Sequence, residues 1–307
     1  MKGLVIKNTG SWYQVITDDN EIVECKIKGN LRLNNYKSTN PIAVGDWVVF
    51  DKGNETIGVI SEICERRNFI IRRSSNLSKQ SHILAANLDL VLLVATVNHP
   101  VTSLVFIDRF LAAAEAYQIP ACIVFNKSDL YDEAETEYMN AACALYESLG
   151  YKTLSISALD TQSTIPLLEL LQNKTTLISG NSGVGKSTLI NALVPDLQAK
   201  TGKISDYHNK GMHTTTFSEM FQLKNGGKII DTPGIKGFGV VEMEETEIGH
   251  YFKEIFTHSK SCRFSNCKHI NEPGCAVVVA VDNQYISQSR YQSYLSMLSD
   301  CTGGKYR

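Results

Sequence analysis

The stretch Gly180-Asn181-Ser182-Gly183-Val184-Gly185-Lys186-Ser187-Thr188 decides the fold of the central part of the chain. It fits G-x-x-x-x-G-K-[ST], a glycine-rich loop whose backbone N–H groups cradle a polyphosphate. An apolar run, Thr175 to Ser179, precedes it, and a helical pattern, Ser187 to Leu193, follows it. The sequence therefore predicts a strand, a phosphate-binding loop and a helix, with Lys186 reaching the β and γ phosphates and the Ser187 hydroxyl ligating Mg²⁺.

A second motif, Asn126-Lys127-Ser128-Asp129, indicates which base the nucleotide carries. It follows the apolar run Ala121 to Phe125 and so lies at the carboxyl end of a strand. The Asp129 carboxylate can accept hydrogen bonds from N1–H and the exocyclic amine of guanine, and adenine offers neither donor at these positions. Alone, the tetrapeptide is also typical of a solvated turn, but beside a phosphate-binding loop it predicts a guanine site.

A third motif, Asp231-Thr232-Pro233-Gly234, follows the apolar run Gly227 to Ile230. Downstream of a phosphate-binding loop, its Asp organises Mg²⁺ and the N–H of Gly234 senses the γ phosphate. Between the two elements lies Gly211-Met212-His213-Thr214-Thr215-Thr216, which predicts a mobile switch whose hydroxyls serve the metal. A run of threonines is also typical of an edge strand. We expect Thr215 and Thr216 to bind nucleotide and Thr216 to be the Mg²⁺ ligand.

The order of these motifs is unusual. In an ordinary small GTPase the phosphate-binding loop comes first, whereas here Asn126-Lys127-Ser128-Asp129 comes first and Ser157-Ala158, after the strand Thr153 to Ile156, comes second. The sequence therefore predicts a circularly permuted GTPase domain. Together with a C-terminal cysteine cluster, this order resembles the ribosome small-subunit-dependent GTPase A family, whose members act in maturation of the small ribosomal subunit. The resemblance covers essentially the whole chain.

Two positions of this chain differ from related GTPases, Met212 in the predicted switch and Ile235 after the third motif. The family's switch usually reads G-R-H-T-T-T, and this chain has Met212 at the Arg position. Residue Ile235 follows Asp231-Thr232-Pro233-Gly234, where Ras-like enzymes place a Gln that orients water. We therefore expect slow intrinsic GTP hydrolysis, with Lys186 as a catalytic residue. His213 is the candidate that positions water, and the alternative is that it only hydrogen-bonds the switch.

Length and composition limit the classes of protein. The chain has 307 residues, of which 43% are hydrophobic, and this length and composition predict two or three domains. Its net charge of −2 indicates no general affinity for nucleic acid. It has no apolar stretch of membrane-spanning length and no secretion-signal pattern at its N-terminus, and its eight cysteines suit thiols and metal ligands better than disulfides. We expect a cytoplasmic protein that does not enter membranes and is a monomer.

The fold class that these patterns predict is multidomain. Residues 1–66 carry five short strand patterns and are expected to form an all-β, OB-like barrel that either contacts RNA or only packs on its neighbour. Residues 67–88 are predicted to be a linker, within a basic stretch (Glu65 to Gln80) that suits phosphate contact or plain solvation. Residues 89–240 alternate strand and helix patterns and form the permuted α/β GTPase domain.

Residues 241–307 are predicted to form a mainly helical zinc-binding module. Helix patterns cover Met243 to Phe256 and Ser287 to Leu298. Between them, three sulfurs and one imidazole provide the four soft ligands of a closed, structural zinc site, from Cys262, Cys267, His269 and Cys275. Two other residues, His258 and Cys301, are alternative ligands.

Three classes of function fit these motifs. The favoured class is a GTPase that binds the small ribosomal subunit and its rRNA. A kinase or ATPase is the second, and Asp129 argues against it because its carboxylate suits guanine. A nucleic-acid-binding protein with a structural nucleotide is the third, and tight GTP binding without turnover would indicate it.

Overall fold

The computed structural model describes residues 1–28, 41–52, 57–73, 81–194, 197, 218–231 and 243–302. The N-terminal barrel is built from five strands: β1 (Lys2–Asn8), β2 (Tyr13–Ile16), β3 (Ile22–Ile27), β4 (Trp47–Asp51) and β5 (Ile57–Ile63). They pair in the order β1-β2-β3-β5-β4, and β4 closes the barrel on β1. Side chains alternate inward along the strands, so that Val5, Tyr13, Val15 and Phe50 fill the interior. The predicted OB-like barrel is confirmed.

The stretch predicted as a linker contains two strands, β6 (Phe69–Arg73) and β7 (Ser81–Ala86), which pair as an antiparallel ribbon. The arginines that precede it are fixed by ion pairs. Arg66 donates from Nε and Nη2 to the buried Asp46 carboxylate, both at 2.6 Å, and Arg67 donates to Asp89 at 2.7 Å. The Arg66 side chain is largely buried and holds the connection in place, whereas the Arg67 side chain is mostly exposed.

The central sheet consists of six strands: β8 (Leu90–Ala95), β9 (Ala121–Phe125), β10 (Lys152–Ser155), β11 (Thr175–Ser179), β12 (Glu219–Gln222) and β13 (Lys228–Asp231). Their order is β10-β9-β8-β11-β13-β12, and all pairs are parallel except β12 with β13. Strand β11, which leads into the phosphate-binding loop, therefore lies in the interior of the sheet, between β8 and β13. It is the fourth of the six strands along the chain. β12 was not predicted from the sequence.

Helices cover both faces of this sheet: α1 (Leu104–Ala116), α2 (Glu133–Ser148), α3 (Ile165–Leu171) and α4 (Lys186–Leu193). Successive β8 residues enter opposite cores, with Val91 and Leu93 packed in the cluster that contains α1 and Leu92 in the cluster that contains α4. This explains why β8 is apolar at every position, since burial of each such side chain stabilises the fold by about 1.5–3 kcal/mol.

The barrel and the central sheet form one continuous hydrogen-bonded sheet. Strand β1 pairs antiparallel with β12, with Lys7 opposite Glu219, and the two side chains form an ion pair at 3.0 Å. The barrel is thereby attached to the strand that follows the predicted switch.

In the described part of the C-terminal region, residues 243–302, there are three α-helices: α5 (Lys253–Ser259), α6 (Ala276–Asp282) and α7 (Gln288–Thr302). The predicted continuous helix from Met243 to Phe256 is wrong. A 3₁₀ turn covers Ile248–Tyr251, and Phe252 is extended (φ −108°, ψ 100°) before α5 begins. Gly249 disfavours a helix here, and the extended backbone lets the Phe252 ring pack under Arg290. No helix of the described residues is long and apolar enough to cross a membrane.

A buried ion network fastens this region to α1. The Arg290 guanidinium donates to Asp108 of α1 at 2.8 Å and to Glu254 of α5 at 2.7 Å, and Tyr146 of α2 donates to the same Asp108 oxygen at 2.8 Å. Arg290 is 1% exposed and Asp108 is fully buried. Burial raises the pKa of the Asp108 carboxyl, and the Arg290 charge opposes that rise. The cation therefore compensates two buried carboxyl groups at once.

We expect Arg290→Met to lower the free energy of unfolding by about 3–5 kcal/mol, because it leaves buried carboxylates without a cation. Removing the Arg290 charge raises the pKa of Asp108 further, and a carboxyl with a raised folded pKa favours the folded state where it is protonated. The loss should therefore be smaller at pH 6 than at pH 8. Urea denaturation at both pH values measures it.

Arg109→Met is the matched control, since Arg109 pairs with Asp300 of α7 at a partly exposed position. Its cost should be about 1 kcal/mol or less. An equal loss for the two variants would show that the buried network is not the main fastening.

Candidate nucleotide and metal sites

The phosphate-binding loop connects β11 to α4 in the geometry that its sequence predicts. Gly180, Gly183 and Gly185 all have positive φ. A side chain at Gly185 is excluded by space as well, because a Cβ there would lie 2.4 Å from Nδ2 of Asn126. Val184 is fully buried and anchors the loop to the core beneath it. The loop backbone is thus held open toward solvent above the helix N-terminus, where an anion is stabilised.

Lys186 is the first residue of α4, and its side chain turns back over the loop. Its ammonium donates to the carbonyls of Gly180 at 2.6 Å and Asn181 at 2.7 Å. Burial lowers the pKa of Lys186, and the Asp231 carboxylate partly opposes this shift. The charge is therefore already oriented within the loop, where phosphate oxygens can replace the two carbonyls.

Asn126 joins the base-recognition motif to the phosphate-binding loop. Its Nδ2 donates to the Val184 carbonyl at 2.9 Å, and its Oδ1 accepts from the N–H of Ala158 at 2.9 Å. The side chain is 1% exposed, so both bonds are shielded from water. One amide thus fixes three loops, from the ends of β9, β10 and β11, relative to one another.

The other residues of the base-recognition motif lie beside this joint. Lys127 has a left-handed backbone (φ 65°), Ser128 begins a 3₁₀ turn, and the Asp129 side chain is exposed. The Ser128 N–H donates to Ile156 at 3.1 Å, and the N–H of Ser157 donates to Oγ of Ser163 at 3.0 Å. The structure therefore brings the predicted Ser157-Ala158 turn and the base-recognition motif to the same edge of the sheet.

Two predicted Mg²⁺ ligands lie at the other end of the phosphate-binding loop. Asp231 is the last residue of β13, in register with Ile178 of β11, and the Ser187 side chain is exposed in the first turn of α4. Both offer the oxygen donors that Mg²⁺ prefers. The third predicted ligand, Thr216, lies outside the described residues, as do His213, Thr215 and Gly234. Their roles stay predictions.

The four predicted zinc ligands form a compact cluster. The donor atoms of Cys262, Cys267, His269 and Cys275 all lie within 4.8 Å of one another. The His269 Nδ1 atom is 3.5 Å from Cys262 Sγ and 3.4 Å from Cys275 Sγ, and these two sulfurs are 3.9 Å apart. Zinc bonds of about 2.3 Å to sulfur and 2.0 Å to nitrogen place tetrahedral ligands about 3.5–3.8 Å apart. The three distances among Cys262, His269 and Cys275 are close to those of a tetrahedral metal site, and Cys267 lies near enough to be the fourth ligand.

The two alternative ligands lie elsewhere. His258 stacks on Tyr285 with ring centroids 6.3 Å apart, and the Cys301 thiol donates to the Met243 carbonyl. Neither belongs to the cluster that the structure describes.

Hydrogen bonds outside the cluster hold its loop in shape. Tyr291 of α7 donates to the His269 carbonyl at 2.6 Å, and Tyr294 donates to the Lys268 carbonyl at 2.8 Å. The Glu272 carboxylate accepts N–H bonds from Lys268, Ile270 and Asn271. Burial alone would raise the pKa of Glu272, but these N–H groups outweigh it and lower that pKa to about 2. These hydrogen bonds preorganise the loop around the four predicted zinc ligands.

Sequence reasoning missed the residues that connect these parts. Tyr131, His99 and Arg290 belong to no motif, and each has a partner that is distant in the chain: Val97, Lys127 and Asp108 respectively. Only the position of Tyr131, two residues beyond Asp129, was a signal that it contacts the nucleotide site.

Comparisons with known proteins agree with this arrangement. A family model described as RsgA N-terminal domain matches residues 2–60, and one described as RsgA GTPase matches residues 63–241. A Bacteroides fragilis protein and a Phocaeicola vulgatus protein, both named small ribosomal subunit biogenesis GTPase RsgA, are 64% and 62% identical over 307 residues. Each alignment covers 100% of this chain and 99% of the relative.

Two solved structures share the whole fold. YjeQ from Thermotoga maritima superposes with a TM-score of 0.79 at 33% identity, covering 98% of each chain. YloQ, described as a circularly permuted GTPase, gives a TM-score of 0.77 at 31% identity and covers 100% of this chain and 96% of its own. The predicted permutation is confirmed, and the chain belongs to the RsgA GTPase family.

Proposed function

We propose that this chain hydrolyses GTP to GDP and phosphate, binds the small ribosomal subunit, and acts late in the assembly of that subunit. The observation that carries the proposal is full-length identity of 62–64% to relatives named small ribosomal subunit biogenesis GTPase RsgA. The joined base-recognition and phosphate-binding loops support it, because they suit a guanine nucleotide.

Guanine selection falls to Asp129, whose exposed carboxylate accepts from N1–H and the exocyclic amine, while Lys127 covers the base from the side of the phosphate-binding loop. Gly180 to Thr188 surround the phosphates with N–H groups. Lys186 neutralises charge on the β and γ phosphates as in-line attack proceeds.

Mg²⁺, when bound with GTP, neutralises developing phosphate charge, and Ser187, Asp231 and Thr216 are the residues that hold it. Gly234 senses the γ phosphate through its N–H, and Thr215 contributes to the nucleotide site. Because Ile235 cannot orient water, we assign that task to His213. Slow turnover by the free protein follows from this arrangement.

Exposed aromatic residues beside cations support an RNA contact by the barrel and the C-terminal region. Lys26 lies 4.0 Å above the ring of Trp12, Lys260 lies 5.0 Å from the ring of Phe256, and Arg263 lies 5.5 Å from that of Phe264. These rings are 37%, 40% and 41% exposed. An exposed ring with an adjacent cation suits base stacking next to a phosphate backbone.

We assign the barrel to residues 1–66, the connection to 67–88, the permuted GTPase domain to 89–240, and a module holding one structural Zn²⁺ to 241–307. The protein works as a cytoplasmic monomer, with GTP, GDP, the small subunit and its rRNA as partners.

GTP turnover by zinc-loaded protein, alone and with purified small or large ribosomal subunits, tests the proposal. We expect small subunits to raise the rate on the order of 10²-fold, as a partner does when it completes proton transfer or water positioning, and large subunits to have little effect. Equal rates with both subunits would refute the proposed partner. Tight GTP binding with no turnover in any mixture would favour a guanine-nucleotide-gated RNA-binding protein with another partner.

A further inference from the structure

The segment that follows β8, Val97 to Pro100, belongs to no nucleotide-binding motif, yet it is bonded to two of them. The hydroxyl of Tyr131 accepts the N–H of Val97 at 3.0 Å and donates to the carbonyl of Asn126 at 2.5 Å. One side chain thus joins the end of β8 to the first residue of the base-recognition motif. Both hydroxyl functions are used.

A second connection runs through Lys127. Its ammonium donates to the His99 carbonyl at 2.6 Å, and its side chain passes beside Gly185. At the same end of the segment, a Cβ built on Gly183 would lie 3.4 Å from the Pro100 ring. The segment therefore touches the base-recognition motif and the phosphate-binding loop together.

The Val97–Pro100 segment is itself held in place by hydrogen bonds of Asn98. The Asn98 side chain accepts from the His99 N–H at 2.9 Å and donates to Glu135 at 2.7 Å, and Glu135 completes the N-terminal cap of α2. His99 has φ 53°, a conformation that a residue other than glycine keeps only when its surroundings hold it there. Such fixed backbone is frequent where a binding site needs a rigid wall.

We propose that Tyr131 is a positioning residue for guanine, which sets base affinity by holding Asn126-Lys127-Ser128-Asp129 against the Val97–Pro100 segment. The inference rests on the proposed guanine site and adds a residue to it. Without the hydroxyl, the N–H of Val97 and the carbonyl of Asn126 both lose a partner, and the motif can move relative to the Val97–Pro100 segment. Asp129 then accepts its two hydrogen bonds less often in the correct geometry.

Tyr131→Phe tests this with nucleotide affinities. We expect the GDP affinity to fall about 10-fold, the effect of losing one or two hydrogen bonds. Inosine diphosphate lacks the exocyclic amine that Asp129 accepts from, so its affinity should fall less and the ratio between the two nucleotides should shrink. Asn98→Ala should shift the ratio in the same direction.

Tyr138→Phe is the matched control, since Tyr138 is an exposed tyrosine of α2. It should leave both affinities unchanged. The inference is overturned if Tyr131→Phe binds GDP as the wild type does. It is also overturned if both nucleotides weaken equally while the thermal midpoint drops, because that pattern indicates a purely structural role. If the wild-type protein does not prefer GDP to ADP, the proposed guanine site itself fails, and the inference fails with it.

Discussion

Asp129→Asn should lower the affinity for GTP by roughly 10⁴-fold and create affinity for xanthosine triphosphate. The carboxylate accepts from two guanine donors, and an amide can accept from only one of them while its NH₂ group opposes the other. Xanthine carries an oxygen where guanine carries the amine, so the same NH₂ group finds an acceptor. Direct calorimetric titration with GTP and with xanthosine triphosphate measures both affinities.

Asp132→Asn provides the control. Asp132 lies three residues further along and caps α2 by accepting from the Glu135 N–H. Asn caps a helix about as well as Asp, so this change removes a nearby negative charge at little cost in stability. Its nucleotide affinities should match the wild type. If Asp129→Asn kept its preference for GDP and gained nothing for the xanthine nucleotide, Asp129 would not be the base reader.

The placement of the nucleotide motifs on the sheet could be predicted because each motif is local in sequence. A phosphate-binding loop needs its glycines, lysine and hydroxyl within nine residues, and the apolar runs before Asn126, Gly180 and Asp231 placed each motif at a strand end. Parallel strands then bring those ends to one edge of the sheet. Permutation of the chain leaves this geometry intact, because it moves the termini and not the strand order.

The connections between parts could not be predicted, because they join residues that are far apart. Arg290 and Asp108 are separated by 182 positions, and nothing near either one indicates a partner. The basic character of Arg66 suggested phosphate contact or solvation, whereas its guanidinium binds a buried carboxylate. The predicted helix from Met243 to Phe256 was wrong for the same reason, because tertiary burial of Phe252 outweighs the local helical periodicity.

Zinc is expected to be the largest single contribution to order in the C-terminal region. Zinc binding by three thiolates and one imidazole contributes roughly 10–16 kcal/mol in small structural sites. Between α5 and α6 the chain runs from Lys260 to Cys275 with no helix or strand, so a metal bound by the four predicted ligands would hold much of it. Chelation should therefore abolish amide-exchange protection from Cys262 to Cys275.

The loss of amide-exchange protection should be confined to the zinc loop, Cys262 to Cys275. Helix α7 is also fastened to α1 through Arg290 and Asp108, which do not depend on the zinc loop, so its protection should largely persist without metal. GTP binding should persist too, whereas binding to small subunits should weaken if the zinc loop is part of the contact. Hydrogen exchange read by mass spectrometry distinguishes these regions.

Cys275→Ser should reproduce the effect of chelation, because it removes one of the four predicted ligands. Serine has nearly the same size as cysteine, so the packing around position 275 should not change. Cys301→Ser is the matched control, since its thiol lies in the same region but bonds the Met243 carbonyl. The control should retain one zinc per chain by elemental analysis, and Cys275→Ser should lose it. Equal zinc content in the two variants, or full exchange protection after chelation, would mean that packing around Phe252 and Tyr294 orders this loop without the metal.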